Sequence, residues 1–111
     1  LLGRGSACIN TGGEKVYPEE VEEAIKEHPG VADCNVVGLP DERWGQAVAA
    51  VVQLNAANGE AIDEEALNRY SRTVLAGYKV PKRILLVDLI QRGPNGKPDY
   101  RWAREVLEGS S

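Results

Sequence analysis

"VADCNVVGLPDERWGQAVAAVVQL", residues 31–54, decides the fold. Its second half, Ala47–Leu54, is apolar at every position except Gln53. A strand with one face in water alternates apolar with polar residues; this one does not, so it reads as a strand buried on both faces. The first half, residues 31–40, reads as a strand with a mixed face, ended by Gly38 and Pro40, with "DERWGQ" as the connecting loop. A strand buried in this way needs covering elements, and the flanking sequence supplies them.

Upstream, "YPEEVEEAIKEHPG" carries consistent helix signals. Pro18 suits the first turn, Glu19 and Glu20 complement the positive end of the dipole, and Pro29-Gly30 stop the helix. Val21, Ala24, Ile25 and His28 recur at spacings of three and four and predict its buried stripe. Before it, "ACINTGGEKV" places Gly12-Gly13 between two short extended pieces, the pattern of a tight hairpin. Downstream, Asp63 predicts the N-cap of a second helix, with Leu67, Tyr70 and Val74 inside and Gly77 as C-cap. "RILLVDLI", 83–90, predicts another strand. After a glycine turn, Asp99 caps a last helix with Trp102, Ala103, Val106 and Leu107 on its inner side. The expected fold class is α+β: a small mixed sheet of about three strands plus an N-terminal β-hairpin, with helices packed on the sheet in two layers.

The 111 residues suffice for one domain, and 42% hydrophobic with 27% charged residues is ordinary for a globular one. Phe is absent and there are two Trp and four Tyr, so Val, Leu, Ile and Ala must fill the core. A net charge of −4 and a pI near 5.0 argue against nucleic acid or an anionic membrane as partner. Any bound anion must therefore be held by a local cationic patch. The longest apolar stretch, Ala47–Val52, is far too short for a transmembrane segment, and "LLGRGS" lacks the regions of a signal peptide. Cys8 and Cys34 are far apart in sequence, which fits free thiols in a reducing, cytoplasmic setting. The chain opens on "LLGRG" without a lead-in element, as if cut from something larger, and "EGSS" reads as a frayed tail.

The usual internal machinery of catalysis is poorly represented. The one histidine, His28, ends an amphipathic helix and reads as structural, which leaves a Ser–His or Cys–His nucleophile without its base. No Cys/His cluster has metal-ligand spacing, so no metal site is expected. Lys97, in "RGPNGKPDYRW", is the better candidate. Gly96 permits close backbone approach to a ligand and Pro98 stiffens the chain just after the lysine. A lysine there is either a mobile point charge for a ligand or a solvated residue of a polar turn.

Four blocks, "GRGSACINTGGEKVYPEEVE", "VVGLPDERWGQAVAAVV", "GYKVPKRI" and "GPNGK", occur in this order between Gly3 and Lys97, within a likeness that runs from Leu1 to about Leu107. Together they closely resemble the small C-terminal domain of the adenylate-forming enzymes: acyl- and aryl-CoA synthetases, luciferase and peptide-synthetase adenylation domains. "DERWGQ" and "YKVPKR" look most like fatty-acyl-CoA synthetases. "NTGGEKVYPEEVE" and "KPDYRWA" resemble the actinobacterial group that includes steroid side-chain ligases. The resemblance implies a hinge or linker over residues 1–6, leading from an N-terminal adenylating domain, a lid domain over residues 7–107, and a tail at 108–111. It implies ATP and Mg2+ bound mainly by the N-terminal domain, a carboxylic acid as substrate, and coenzyme A as acyl acceptor.

Residue by residue, Lys97 matches the family's catalytic lysine, which enters the site for acyl-AMP formation. Gly3-Arg4-Gly5-Ser6 matches the hinge, with Arg4 and Ser6 as its residues; relatives usually carry Asp or Lys where Ser6 stands, and Ala7 and Asn10 also depart from the usual motif. Gly12 and Gly13, with Glu14, match the loop lining the pantetheine tunnel, a reading compatible with a plain hairpin turn. Trp44 matches a residue packed near coenzyme A in some relatives, and equally suits an edge residue covering the sheet. Tyr78, Lys79, Lys82 and Arg83 match the region near the nucleotide end of coenzyme A, against the alternative of a solvated basic turn. Two other functions keep this fold: a stand-alone regulatory module docking on a synthetase, and part of a peptide-synthetase adenylation domain.

Overall fold

The computed structural model describes residues 8–55 and 62–109. The hairpin is present: β1 (Ile9–Thr11) and β2 (Glu14–Val16) pair antiparallel around Gly12 and Gly13, whose φ angles of 59° and 88° are the left-handed values such a turn demands. Helix α1 (Pro18–Lys26) comes next, then β3 (Val31–Asp41) and β4 (Gly45–Leu54). Helix α2 (Glu64–Val74), a 3-10 turn at Gly77–Lys79, β5 (Arg83–Val87) and α3 (Tyr100–Gly109) complete the order.

Strand β4 organises one five-stranded sheet. Along one edge it pairs antiparallel with β3, from Leu54 opposite Val31 to Gly45 opposite Asp41. Its other edge is shared: β1 meets it at Gly45, and β5 runs parallel to it from Ala49 to Gln53. The sheet is thus mixed, as expected, and the hairpin belongs to it.

The layering differs from expectation. Even-numbered Val48, Ala50 and Val52 join Val21 and Ile25 of α1 and Leu67 of α2 in one core. Odd-numbered Ala49 and Val51 face the other way and pack with Val37, Ile90 and Ala103 and Leu107 of α3. Both faces are covered, so there are three layers rather than two. This is the burial that the unbroken apolar run of β4 requires.

Element boundaries shift for local reasons. Strands β3 and β4 extend into "DERWGQ", leaving a turn at residues 42–44, because the Asp41 carboxylate accepts the N–H groups of Arg43 and Trp44, both at 2.9 Å. Asp63 caps α2 as expected, accepting from Ala66 N–H at 2.8 Å, but the helix ends at Val74, and Gly77 opens the 3-10 turn instead of capping it. Val74 is exposed, and Ser71 takes the buried place by donating its hydroxyl to Leu67 O. β5 stops at Val87, short of the predicted Ile90. Asp99 does cap α3, accepting from Trp102 N–H at 3.0 Å.

On α1 the buried set is Pro18, Val21, Glu22 and Ile25, with Ala24 and His28 only half-buried. Glu22 satisfies one backbone N–H on the outer edge of β3: its carboxylate accepts from Val36 N–H at 2.8 Å and from the Tyr100 phenol of α3. Burial pushes its pKa up to about 7, against the lowering effects of those two bonds and of Lys26; Glu19 adds a small rise. A carboxyl whose folded pKa lies above its unfolded value stabilises the fold fully below about 4.5, and that contribution is lost as pH rises through about 7. Between pH 5 and pH 8, urea unfolding of the native chain should therefore lose on the order of 2–3 kcal/mol that Glu22→Gln does not lose. Parallel pH profiles for the two proteins would refute this.

Candidate functional site

Lys97 is exposed at the end of a tight turn that leaves the sheet and returns as α3. Arg92 and Pro98 form an isolated antiparallel bridge across its base. Gly93 N–H donates to Lys97 O at 2.9 Å, and Gly96 N–H donates to Gly93 O at 3.0 Å. Gly96 holds φ at 77°, a value at which an L side chain is strained. The backbone of the turn is thus tied down, while the Lys97 ammonium takes part in no ion pair among the described residues.

A second group gathers at the start of β4. Gly12 N–H donates to Trp44 O at 2.8 Å, and the indole lies over the hairpin turn: a Cβ on Gly12 would stand 2.8 Å from Trp44 Cε3. Gly13 faces open space. Lys82 N–H donates to Val48 O at 2.8 Å, which brings its side chain alongside, and Lys82 Nζ sits 4.8 Å from the Trp44 ring centroid. The Arg43 guanidinium lies 5.0 Å from the same ring. An indole flanked by two cations, beside a glycine turn with no side chains, offers an aromatic surface and positive charge together. Trp44 is 36% exposed, so the surface is open.

From Lys82 an open groove runs along α2. One cleft of about 470 Å³ is lined by Glu64, Glu65, Asn68, Lys82, Arg83 and Ile84, among others. A neighbouring one of about 530 Å³ is lined by Asn68, Arg72, Gly77 and Lys82, among others. Asn68 shapes the wall between them by donating its amide to Pro81 O at 3.1 Å.

The remaining predicted residues are placed differently. Lys79 is not free: its ammonium bonds Glu20 of α1 at 2.7 Å, and that carboxylate raises the lysine pKa. Tyr78 is exposed with Lys79 5.6 Å from its ring. Glu14 is exposed at the start of β2. Arg4 and Ser6, with the rest of the expected hinge, lie outside the described residues. His28 is structural, as expected: its Nδ1 accepts from Gly30 N–H at 2.9 Å and its ring packs edge-on against Tyr70. Cys8 and Cys34 are both free thiols. Among the described residues no group of three His, Cys, Asp or Glu could hold a metal, and no helix is long and apolar enough to cross a membrane.

One feature near Lys97 escaped the sequence reading. Arg92 donates Nε–H to Asp33 Oδ2 at 2.9 Å and Nη2–H to Asp33 Oδ1, and its Nη1 reaches Gly96 O at 3.2 Å. Nothing in the spacing of Asp33 and Arg92 announces this pairing.

Residues 20–97 match the profile of the AMP-binding enzyme C-terminal domain family, and the chain belongs to that family. It is 57% identical over 105 residues to a 3-oxocholest-4-en-26-oate–CoA ligase of Rhodococcus rhodochrous, covering 95% of this chain and 19% of that protein. It is 56% identical over 108 residues to a medium/long-chain-fatty-acid–CoA/3-oxocholest-4-en-26-oate–CoA ligase of Mycobacterium tuberculosis, covering 97% and 19%. Among solved structures it superposes on a Mycobacterium tuberculosis fatty acyl CoA synthetase with a TM-score of 0.81 and 39% identity, covering 93% of this chain and 20% of that one. For apo MatB from Rhodopseudomonas palustris the TM-score is 0.86 and the identity 37%, covering 97% and 21%. The chain thus spans about a fifth of the length of these relatives.

Gly12→Ala should destabilise the fold by about 1–3 kcal/mol, since it adds left-handed strain and drives a methyl into the indole. Gly13→Ala should carry the strain alone and cost less. Equal melting shifts for the two would show that the Trp44 contact is unimportant.

Proposed function

We propose that this chain is the mobile C-terminal domain of an AMP-forming acyl-CoA ligase, acting on a fatty or steroid side-chain carboxylic acid. The observation that carries the reading is Lys97: an exposed ammonium with no ion-pair partner among the described residues, on a braced turn at the end of the segment matching the family. The relatives' names supply the acid and the thiol, and favour coenzyme A over a carrier-protein arm. They also favour a ligase domain over a free regulatory module.

In the first half-reaction the substrate carboxylate attacks the α-phosphorus of ATP. An O–P bond forms, the α–β anhydride bond breaks, and pyrophosphate leaves. Negative charge builds on the phosphoryl and leaving oxygens, and Lys97, carried in by the lid, stabilises it. ATP and Mg2+ would be held chiefly by an N-terminal adenylating domain, in keeping with the small share of its relatives' length that this chain spans. In the second half-reaction the lid presents its other face. The thiol gives its proton to solvent and its sulfur attacks the acyl carbon; the C–S bond forms, the acyl C–O bond to the phosphate breaks, and AMP leaves with that oxygen. Gly12 and Gly13, with Glu14 beside them, would line the path of the pantetheine arm. Trp44 and Lys82 would meet the nucleotide end of coenzyme A, with Arg83 and Tyr78 nearby. Lys79 would reach a phosphate only by leaving Glu20. With both cysteines free, we place this chemistry in the cytoplasm.

In the full-length protein carrying this chain, Lys97→Ala should lower acyl-AMP formation, read by pyrophosphate exchange, by about 10²–10³-fold. Thioester formation from supplied acyl-AMP should persist; equal loss of both steps would overturn the role given to Lys97. Trp44→Ala should raise KM for coenzyme A by about tenfold and leave pyrophosphate exchange unchanged. An unaltered KM would remove Trp44 from the thiol site.

A further inference from the structure

We propose that Arg92 and Asp33 are a positioning pair that sets the reach of Lys97, a role resting on the reading of Lys97 given above. Residues 94–97 of the turn are exposed, and the hydrogen bonds within it fix its shape without fixing its direction. Direction comes from its base. Ile90 is buried among the α3-side core, and its N–H donates to Gln53 Oε1 of β4 at 2.9 Å. Two residues on, the Arg92 guanidinium grips the Asp33 carboxylate on β3 with two N–H groups and turns a third toward Gly96 O, the carbonyl immediately before Lys97.

Asp33 is itself held in place. Its Oδ1 also accepts from Cys34 N–H at 2.8 Å, where the β3–β4 register shifts. A rigid strand, a planar guanidinium and the peptide carrying the lysine are therefore linked in series. The planar fork of arginine suits three directed bonds of this kind, and the single ammonium of lysine does not.

Stability alone is a weak reason for this arrangement. Both side chains are partly open to water, Arg92 at 30% and Asp33 at 19%. Such a pair contributes about 1 kcal/mol or less to folding. Displacing a catalytic cation by about 1 Å, by contrast, is worth about 10²-fold in rate. A positioning role thus predicts a rate effect larger than the stability effect and confined to one half-reaction.

The test uses the full-length protein carrying this chain and measures pyrophosphate exchange, thioester formation from supplied acyl-AMP, and the melting temperature. Arg92→Ala and Asp33→Asn should each slow pyrophosphate exchange about 10–100-fold, with thioester formation within about twofold and melting within a few degrees. Arg92→Lys should recover little of the loss. Combining Arg92→Ala with Asp33→Asn, or with Lys97→Ala, should be no worse than the more damaging single change. Asp33→Asn keeps an oxygen for Cys34 N–H and provides the test should Arg92→Ala fold poorly. Unchanged exchange in a folded Asp33→Asn protein, full rescue by Arg92→Lys, or equal loss in both half-reactions would overturn the pair. Loss in Lys97→Ala without loss in these variants would overturn the pair alone, whereas an active Lys97→Ala would overturn the reading beneath it.

Discussion

Strand β4 has to be dry on both faces and along both edges, and that demand places every other element. Its even-numbered side chains call for α1 and α2, and its odd-numbered side chains call for α3. One edge is taken by β3 along its whole length; the other is divided between the hairpin and β5. That division creates the corner where Gly12, Trp44 and Lys82 meet. The hairpin ends on β4 at Gly45, one residue past the indole, and the chain entering β5 bonds to β4 at Val48. Three sequence-distant stretches converge because one strand is too apolar to leave an edge in water.

Electrostatics then sorts the cations of an acidic domain into two kinds. Lys26, Lys79 and Arg92 are neutralised locally by Glu23, Glu20 and Asp33. Lys82 and Lys97 take part in no ion pair among the described residues; one lies over an indole and the other stands on a glycine turn. Two of the paired cations, Lys79 and Arg92, tie down the 3-10 turn and the Lys97 turn, whereas Lys82 and Lys97 are the cations that the proposed function assigns to anions. Net charge, at −4, hides this local arrangement.

Much of the architecture was legible because it rests on local chemistry. The Gly12-Gly13 turn, Pro18 at a helix start and the caps at Asp63 and Asp99 each follow from a residue's own backbone preferences. The layering was not legible. A doubly buried strand says that two covers exist and not which helix supplies each, so α3 could not be assigned to its own face. Glu22 was also missed: its place on the inner side of α1 is visible in the spacing, but a carboxylate there looks like an error until Val36 and Tyr100 are seen to need it. In the candidate site, the glycine turns, Trp44 and the two lysines could be picked out by residue type and family likeness. The Arg92–Asp33 link could not, because pairing across the sheet edge leaves no periodicity in the chain.

The contrast between a fixed turn and a free side chain at Lys97 has a thermodynamic sense. A lid that must carry a cation into a closed site pays for whatever order it acquires on arrival, about 1–2 kcal/mol for each backbone residue and about 2 kcal/mol for a lysine side chain. In this fold the backbone part is already ordered, through the bonds among Gly93, Gly96 and Lys97 and the guanidinium beneath them. The part still to be ordered is the flexible stem of one side chain, which on the proposed reading would follow charge as it moves from the α-phosphate to the leaving group. On the proposed reading, a stiff base with a mobile tip would keep the cost of closing low: the base sets where the stem starts, and the stem makes the last adjustment to the anion. A fully rigid lysine would fit one charge distribution, and a fully flexible loop would offset much of the electrostatic gain with its own ordering.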